Sequence, residues 1–299
     1  MAVTVSNPDT VVGRPPQRMR WGRIMIYAVL TLLCLSTAAA FAWVFMISLK
    51  TTPEFLSTSP WALPLKPHFE NYVKAWQQAH ISTYFVNSIF VAMIGAIGSV
   101  VVSALAAYVI ARIPFKFNEL FGNYFLIGYM IPLMLTIIPL YFLLADLSNR
   151  SGFTGLSSGM LPLVALYIAS GVPFNTFVLR GFFESLPSEM EEAAAVDGAS
   201  PFRTFWQIML PLSWPGLVSA FLINFLSLWN EFFLALIFLK KESATLPLGL
   251  FYMAQRAEYN AQWTDLFAGM LISTIPVLIV FALLQDQITR GMTQGAIKG

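Results

Sequence analysis

Charge is scarce in this sequence. Of 299 residues only 11% are Asp, Glu, Lys or Arg, where an ordinary soluble domain carries roughly 25%. The net charge of +2 excludes the strongly basic surface that nucleic acid or another polyanion requires. Cysteine is almost absent. Cys34 stands alone in an apolar run, which excludes a disulfide framework and a cysteine-based metal site. Histidine is limited to His68 and His80, twelve residues apart, so no metal site is expected. No G-x-x-x-x-G-K-S/T phosphate loop occurs, so the chain cannot itself hydrolyse ATP through such a loop. No nucleophile–base arrangement appears either, and no catalytic site or resident cofactor is expected.

What is abundant is apolar. Hydrophobic residues make up 57% of the chain and the mean hydropathy is +0.69. A soluble fold of this length cannot hide that much apolar surface, whereas a bilayer acts as its solvent. The pattern predicts an all-α integral membrane protein with spans at about 24–49, 85–111, 120–145, 159–179, 214–239 and 265–288. Each run is long enough to cross about 30 Å of hydrocarbon at about 1.5 Å per residue. Thr37-Ala38-Ala39-Ala40 loosely resembles a signal-peptidase site, but the run continues apolar to Leu49 and reads as a retained span. Residues 1–23 hold Pro15, Pro16 and four arginines (Arg14, Arg18, Arg20, Arg23), and read as a disordered basic tail. Residues 289–299 form a short second tail. Wet segments cover 50–84, with a short helix expected near 70–80, and 240–264.

Six spans place both termini on one side. With the termini inside, ten of the Lys and Arg residues fall inside and seven outside. The basic tail before the first span weighs most, so both termini are expected in the cytoplasm.

Helices in lipid associate by close packing. Gly95, Ser99, Ser103 and Ala107 recur every four residues and form a small-residue stripe on one helix face. Pro132, Pro139, Pro162, Pro173 and Pro276 are expected to kink or break their helices. Broken helices border a cavity in some bundles and are inert in others. In the fifth span Asn224, Ser227 and Glu231 lie within roughly 60° of one another on a helix. Asn230 lies off that stripe but is counted with them as a candidate lining residue. Glu231 is the one acid well inside a span, so it must face a partner or water. A pathway lining and polar glue between helices both satisfy that demand.

The most informative stretch is 181–213, with five acids (Glu184, Glu189, Glu191, Glu192, Asp197) and one base, Arg203. Leu186-Pro187 stops the preceding element. Ser188 and Glu191 read as a capping box, Glu189, Glu191 and Glu192 suit the first turn, and Ala193, Ala194 and Ala195 propagate a helix. Gly198 supplies its C-terminal turn. Ser200 and Pro201 start a second helix as N-cap and first residue. The result is a small helix–turn–helix protruding on the cytoplasmic face, shaped to fit a socket on another protein. A well-capped loop of no special purpose would need neither the compact alanine surface beside a glutamate nor the fixed elbow.

Glu192-Ala193-Ala194, three residues, Gly198, nine residues, Ile208, one residue and Leu210-Pro211 match the EAA signature of ABC-importer permeases. Ala106-Ala107-Tyr108 through Arg112, Met130-Ile131-Pro132 through Leu143, Phe182 to Ala199, Trp229-Asn230-Glu231-Phe232 and Gly295-Ala296-Ile297-Lys298-Gly299 resemble the carbohydrate branch. The likeness is to the second permease of maltose-type importers and runs from about residue 24 onward. It implies a second related permease, two ATPase subunits that bind ATP and Mg, and an extracytoplasmic solute-binding protein, in a bacterial inner membrane. It also implies that Glu191, Glu192, Ala193, Ala194, Asp197, Gly198, Ile208, Leu210 and Pro211 couple to the ATPase. Between the span ends the apolar runs contain no Lys or Arg, which points to a neutral or weakly polar solute, a sugar first, with a polyol or glycerol-phosphate as alternatives. A stand-alone secondary transporter would need midplane coupling groups and usually internal repeats, and one buried acid without a repeat argues against it.

Overall fold

The computed structural model describes residues 20–296, and side chains for 21–259 and 261–285. Among the described residues every regular element is helical. In chain order these are α1 (Arg20–Ser48), α2 (Thr52–Ser57), α3 (Glu70–Gln77), α4 (Ile81–Arg112), α5 (Asn118–Met130), α6 (Leu133–Ser151) and α7 (Met160–Ser185). They continue as α8 (Glu189–Val196), α9 (Pro201–Thr204), a widened turn at Phe205–Met209, α10 (Leu210–Leu212), α11 (Trp214–Trp229), α12 (Phe233–Phe238), α13 (Leu246–Asn260) and α14 (Trp263–Ala296). Among the described residues five helices are long and apolar enough to cross a membrane. Among the described residues the pair Pro201–Leu212 and Trp214–Trp229, bent by 74°, makes a sixth if it is taken as one span.

The spans depart from the sequence expectation in three places. The first begins at Arg20, so Arg20 and Arg23 belong to the helix and not to a disordered tail. The rest of that tail, residues 1–19, lies outside the described residues, as do Ile297-Lys298-Gly299. The third crossing is two helices. Ile131 and Pro132 are both extended (ψ 119° and 120°), because proline disfavours the helical region for the residue before it and cannot donate to the ladder. Pro139, Pro173 and Pro276 sit inside α6, α7 and α14 without ending them, and Pro162 falls in the first turn of α7, where no donor is missed. The fifth crossing, expected as one helix to 239, stops at Trp229 and resumes as the short α12 after Asn230–Phe232.

The centre of the bundle is α4 against α7, with α11 completing it. The small-residue stripe is what brings them close: Gly95, Ser99, Ser103 and Ala107 are all buried. A methyl on Gly95 would meet Tyr167 Cβ at 2.9 Å. Ser103 Oγ donates to Val172 O at 3.2 Å, and Asn175 Nδ2 donates to Ser99 Oγ at 2.9 Å. Two apolar clusters result. One gathers Ala92, Ala96, Tyr167, Phe225, Trp229 and Leu234. The other gathers Ala104, Tyr108, Leu179, Phe183, Phe205 and Met209 at the end where α8–α10 lie.

At the opposite end α2, α3 and α13 cap the bundle. Asn71 Nδ2 donates to Ser48 O and Lys50 O, both at 2.8 Å, and closes the turn after α1. Lys50 is wholly buried, its ammonium donating to Ser59 O at 3.2 Å. By contrast α1 and α5 present broad apolar faces outward; Met25, Tyr27, Leu32 and Tyr124 are all mostly exposed. Hydrocarbon or an apolar partner is the solvent such faces require.

Candidate functional site

The loop between α7 and α11 is built as two short helices at an elbow. α8 ends in a Schellman arrangement: Ala199 N donates to Ala194 O at 2.9 Å and Gly198 N to Ala195 O at 3.0 Å. That closure puts Gly198 at φ 73°, a conformation costly for residues with a Cβ. Nothing lies within 4 Å of the methyl a substitution would add there, so the backbone angle alone requires glycine. Ser200 Oγ accepts from Arg203 N at 3.3 Å and Pro201 is the first helical residue, the expected N-cap pairing.

The start of α8 differs from expectation. Ser188 makes no side-chain cap; its carbonyl instead accepts from Glu191 N and Glu192 N at 2.9 and 3.1 Å. Its backbone is already helical (φ −69°, ψ −23°), whereas a capping residue is extended. Glu191 therefore has no serine to return to. It turns into the protein, accepting from Tyr108 OH at 3.0 Å and facing Arg112 Nη1 at 3.4 Å. Glu192, Ala193, Asp197 and Pro211 are exposed, Ala194 is buried, and Ile208 and Leu210 are half-buried.

A second feature is a cavity of about 710 Å³ walled by the α5–α6 break, α7 and α11. Asn224, Ser227 and Glu231 line it and Asn230 does not. Asn230 is exposed and its Nδ2 donates back to Leu226 O at 2.8 Å. Glu231 is the one charged residue in the lining, and its oxygens are already engaged. Oε1 accepts from Leu234 N at 2.7 Å; Oε2 accepts from Ala235 N at 3.1 Å and from Tyr167 OH at 2.8 Å. Glu231 thus caps α12 and braces it to α7, which explains how the acid is tolerated there. Asn224 is buried, and its Nδ2 has no protein partner.

The cavity's aromatic pair, Tyr129 and Phe174 with centroids 5.3 Å apart, carried no sequence signal: the two residues are far apart in sequence and sit in runs rich in aromatics.

A helical bundle with a two-helix loop between α7 and α11 and a cavity beside a broken span has relatives among known proteins. Residues 99–294 match the family described as the binding-protein-dependent transport system inner membrane component. The chain belongs to that family. This inner membrane component is similar to the diacetylchitobiose uptake permease NgcG of Streptomyces coelicolor, 36% identical over 91% of this chain and 88% of the relative. It is 34% identical to the trehalose/maltose permease MalG of Thermococcus litoralis, over 93% of this chain and 97% of that one. Its fold matches a chain of a bacterial importer of the polysaccharide alginate, with TM-score 0.75 and 22% identity over 92% of this chain and 99% of that chain.

Proposed function

We propose that this chain is the permease subunit of an ATP-driven importer for a sugar or a related small polar solute, driven by an ATPase that grips Ser188–Pro211. The observation that carries the reading is the loop: an exposed Glu192-Ala193 surface on a helix whose exit is fixed at Gly198, inside the segment that matches the transport family. The coupling residues would be Glu192, Ala193, Ala194, Asp197, Gly198, Ile208, Leu210 and Pro211, with Glu191 acting from behind them. ATP and Mg would be held by the partner ATPase, with no catalytic site in this chain. The full assembly would pair it with a second related permease, two ATPase subunits and an extracytoplasmic binding protein, in the cytoplasmic membrane with both termini inside.

The sugar assignment is supported by the relatives, described as permeases for diacetylchitobiose and for trehalose/maltose. The cavity agrees with it: no Lys or Arg lines the wall, Asn224 has a spare donor, and an aromatic pair offers apolar ring faces. One relative is named for sulfoquinovosyl glycerol, which keeps an anionic glycoside as a second reading. An affinity-tagged chain purified from its native membrane is expected to bring an ATPase with it, and solute uptake that survives deletion of that ATPase refutes the importer reading. Binding of an amino acid or peptide, and of no sugar, by the co-purifying receptor refutes the carbohydrate assignment.

A further inference from the structure

We infer that Arg112 and Tyr108 clamp Glu191 so that α8 and the cytoplasmic ends of α4 and α7 move as one body, which makes these three residues the positioning residues for coupling. The inference rests on the proposed docking of the loop on an ATPase.

Without a clamp the loop would be a poor lever. After Ser185 the chain turns extended at Leu186 (ψ 146°), passes Pro187, and enters α8 at Glu189. Three linking residues and one missing N–H leave α8 free to hinge. Arg112 removes that freedom. Its Nε and Nη2 donate to Phe183 O at 3.1 and 2.6 Å, and Nη2 also donates to Leu186 O. Both carbonyls lie at the end of α7, where a cation is favoured, and Phe183 O also accepts from Leu186 N at 3.2 Å. The third nitrogen, Nη1, faces Glu191 Oε2 at 3.4 Å, and the Arg112 side chain is only 13% exposed. Tyr108 OH donates to the other oxygen of Glu191. The Tyr108 ring packs on Phe183 and Phe205, with centroids 5.6 and 5.0 Å away. The turn after α9 joins the same cluster through Phe205.

Adjacent residues of a helix point about 100° apart. Glu191 and Glu192 therefore divide the work: one anchors inward and the other faces outward. A planar guanidinium spreads its donors over a rigid fork that spans both carbonyls and the carboxylate, a geometry the compact ammonium of lysine does not reproduce.

The test uses the full complex, with Cys34→Ser removing the chain's single cysteine and spin labels at Lys116→Cys and Val196→Cys. Val196 is 87% exposed and Lys116 is exposed on the segment after α4. The label distance is expected to be narrow with and without ATP in the parent, and broadened in both Arg112→Gln and Glu191→Gln. In proteoliposomes supplied with the binding protein and maltose, trehalose or diacetylchitobiose, Arg112→Gln is expected to keep basal ATP hydrolysis. Solute moved per ATP should fall by about five-fold or more, the lower end of ordinary coupling free energies. Tyr108→Phe is expected to add little to Glu191→Ala, because both remove the hydrogen bond between the two side chains. Unchanged distances and unchanged transport per ATP in Arg112→Gln overturn the clamp. Loss of the ATPase from Glu191→Gln but not from Arg112→Gln also overturns it, since Glu191 would then meet the ATPase directly. A parent chain that carries no ATPase refutes the importer reading instead, and the distance measurement still decides the clamp.

Discussion

Replacing Glu231 by alanine separates the two roles open to this acid. The substitution removes the acceptor for Leu234 N and Ala235 N, the free donors at the start of α12, and orphans Tyr167 OH, which donates at 2.8 Å from a wholly buried side chain. Losing a helix cap costs about 1 kcal/mol, and an unsatisfied buried hydroxyl costs about 1–3 kcal/mol. The sum is about 2–4 kcal/mol. At about 2 °C per kcal/mol for a chain of this size, the thermal midpoint of the detergent-purified complex should fall by about 4–8 °C. Glu231→Gln should cost about half as much, because its carbonyl still serves Leu234 while Ala235 N loses its partner. Tyr167→Phe should rescue part of the alanine variant, since no hydroxyl is left to orphan, and a double-mutant cycle should show coupling of about 1 kcal/mol. An alanine variant that keeps the parent's midpoint yet loses uptake refutes the brace and returns Glu231 to the pathway.

Three further outcomes follow from the packing and the loop. Gly171→Ala places a methyl against Ser99 Oγ and 2.6 Å from Asn224 Nδ2; wedging α4, α7 and α11 apart should cost about 1–3 kcal/mol, read as a lower thermal midpoint. Gly181→Ala on the same helix meets nothing within 4 Å, so it should hold the midpoint or raise it, through a helix-propensity gain of up to about 1 kcal/mol. Gly198→Val should strain the left-handed turn at φ 73° by about 1–2 kcal/mol, and Glu192→Lys should reverse the charge of the outward face. Both should reduce the ATPase recovered with the chain while membrane insertion stays normal, and undiminished recovery in both variants contradicts the docking role.

The local chemistry of the loop was legible in the sequence. Gly198, Ser200 and Pro201 sit where the backbone needs a left-handed residue, a cap and a proline, because those demands are met within a few residues. Pro132 was one of five prolines expected to kink or break their helices, and of these it alone falls at a helix break. The direction of Glu191 was not legible. Its partners Tyr108 and Arg112 come from another helix, and a local pattern offered Ser188 in their place. The end of α11 was missed because the apolar run resumes directly after Asn230-Glu231 and continues to residue 239, while the start of α12 is set by hydrogen bonds to the Glu231 carboxylate. Period reasoning placed Asn224, Ser227 and Glu231 on one face, and all three line the cavity, whereas Asn230, counted with them as a candidate lining residue, does not. What it could not supply was that the acid's oxygens are spent on a helix start.

The two candidate features are mechanically connected through the same pair of helices. α7 carries Tyr167, Ser170, Gly171 and Phe174 at the cavity wall, and Phe183 in the grip of Arg112. α4 is fastened to it along the way at Gly95, Ser99 and Ser103. Close-packed interfaces of this kind shift as units, because they have few intermediate arrangements. A displacement of α8 would therefore reach the cavity as a movement of the α4–α7 pair against α5 and α6, with no need for bending within α7. The place to yield is the extended Ile131–Pro132 link, which is held by no helical ladder. Replacing Pro132 with alanine would favour a continuous α5–α6 helix by removing the steric bar on Ile131. It should lower transport per ATP while leaving recovery of the ATPase unchanged, since the loop itself is untouched. A Pro132→Ala variant that transports as the parent does would place the moving joint elsewhere.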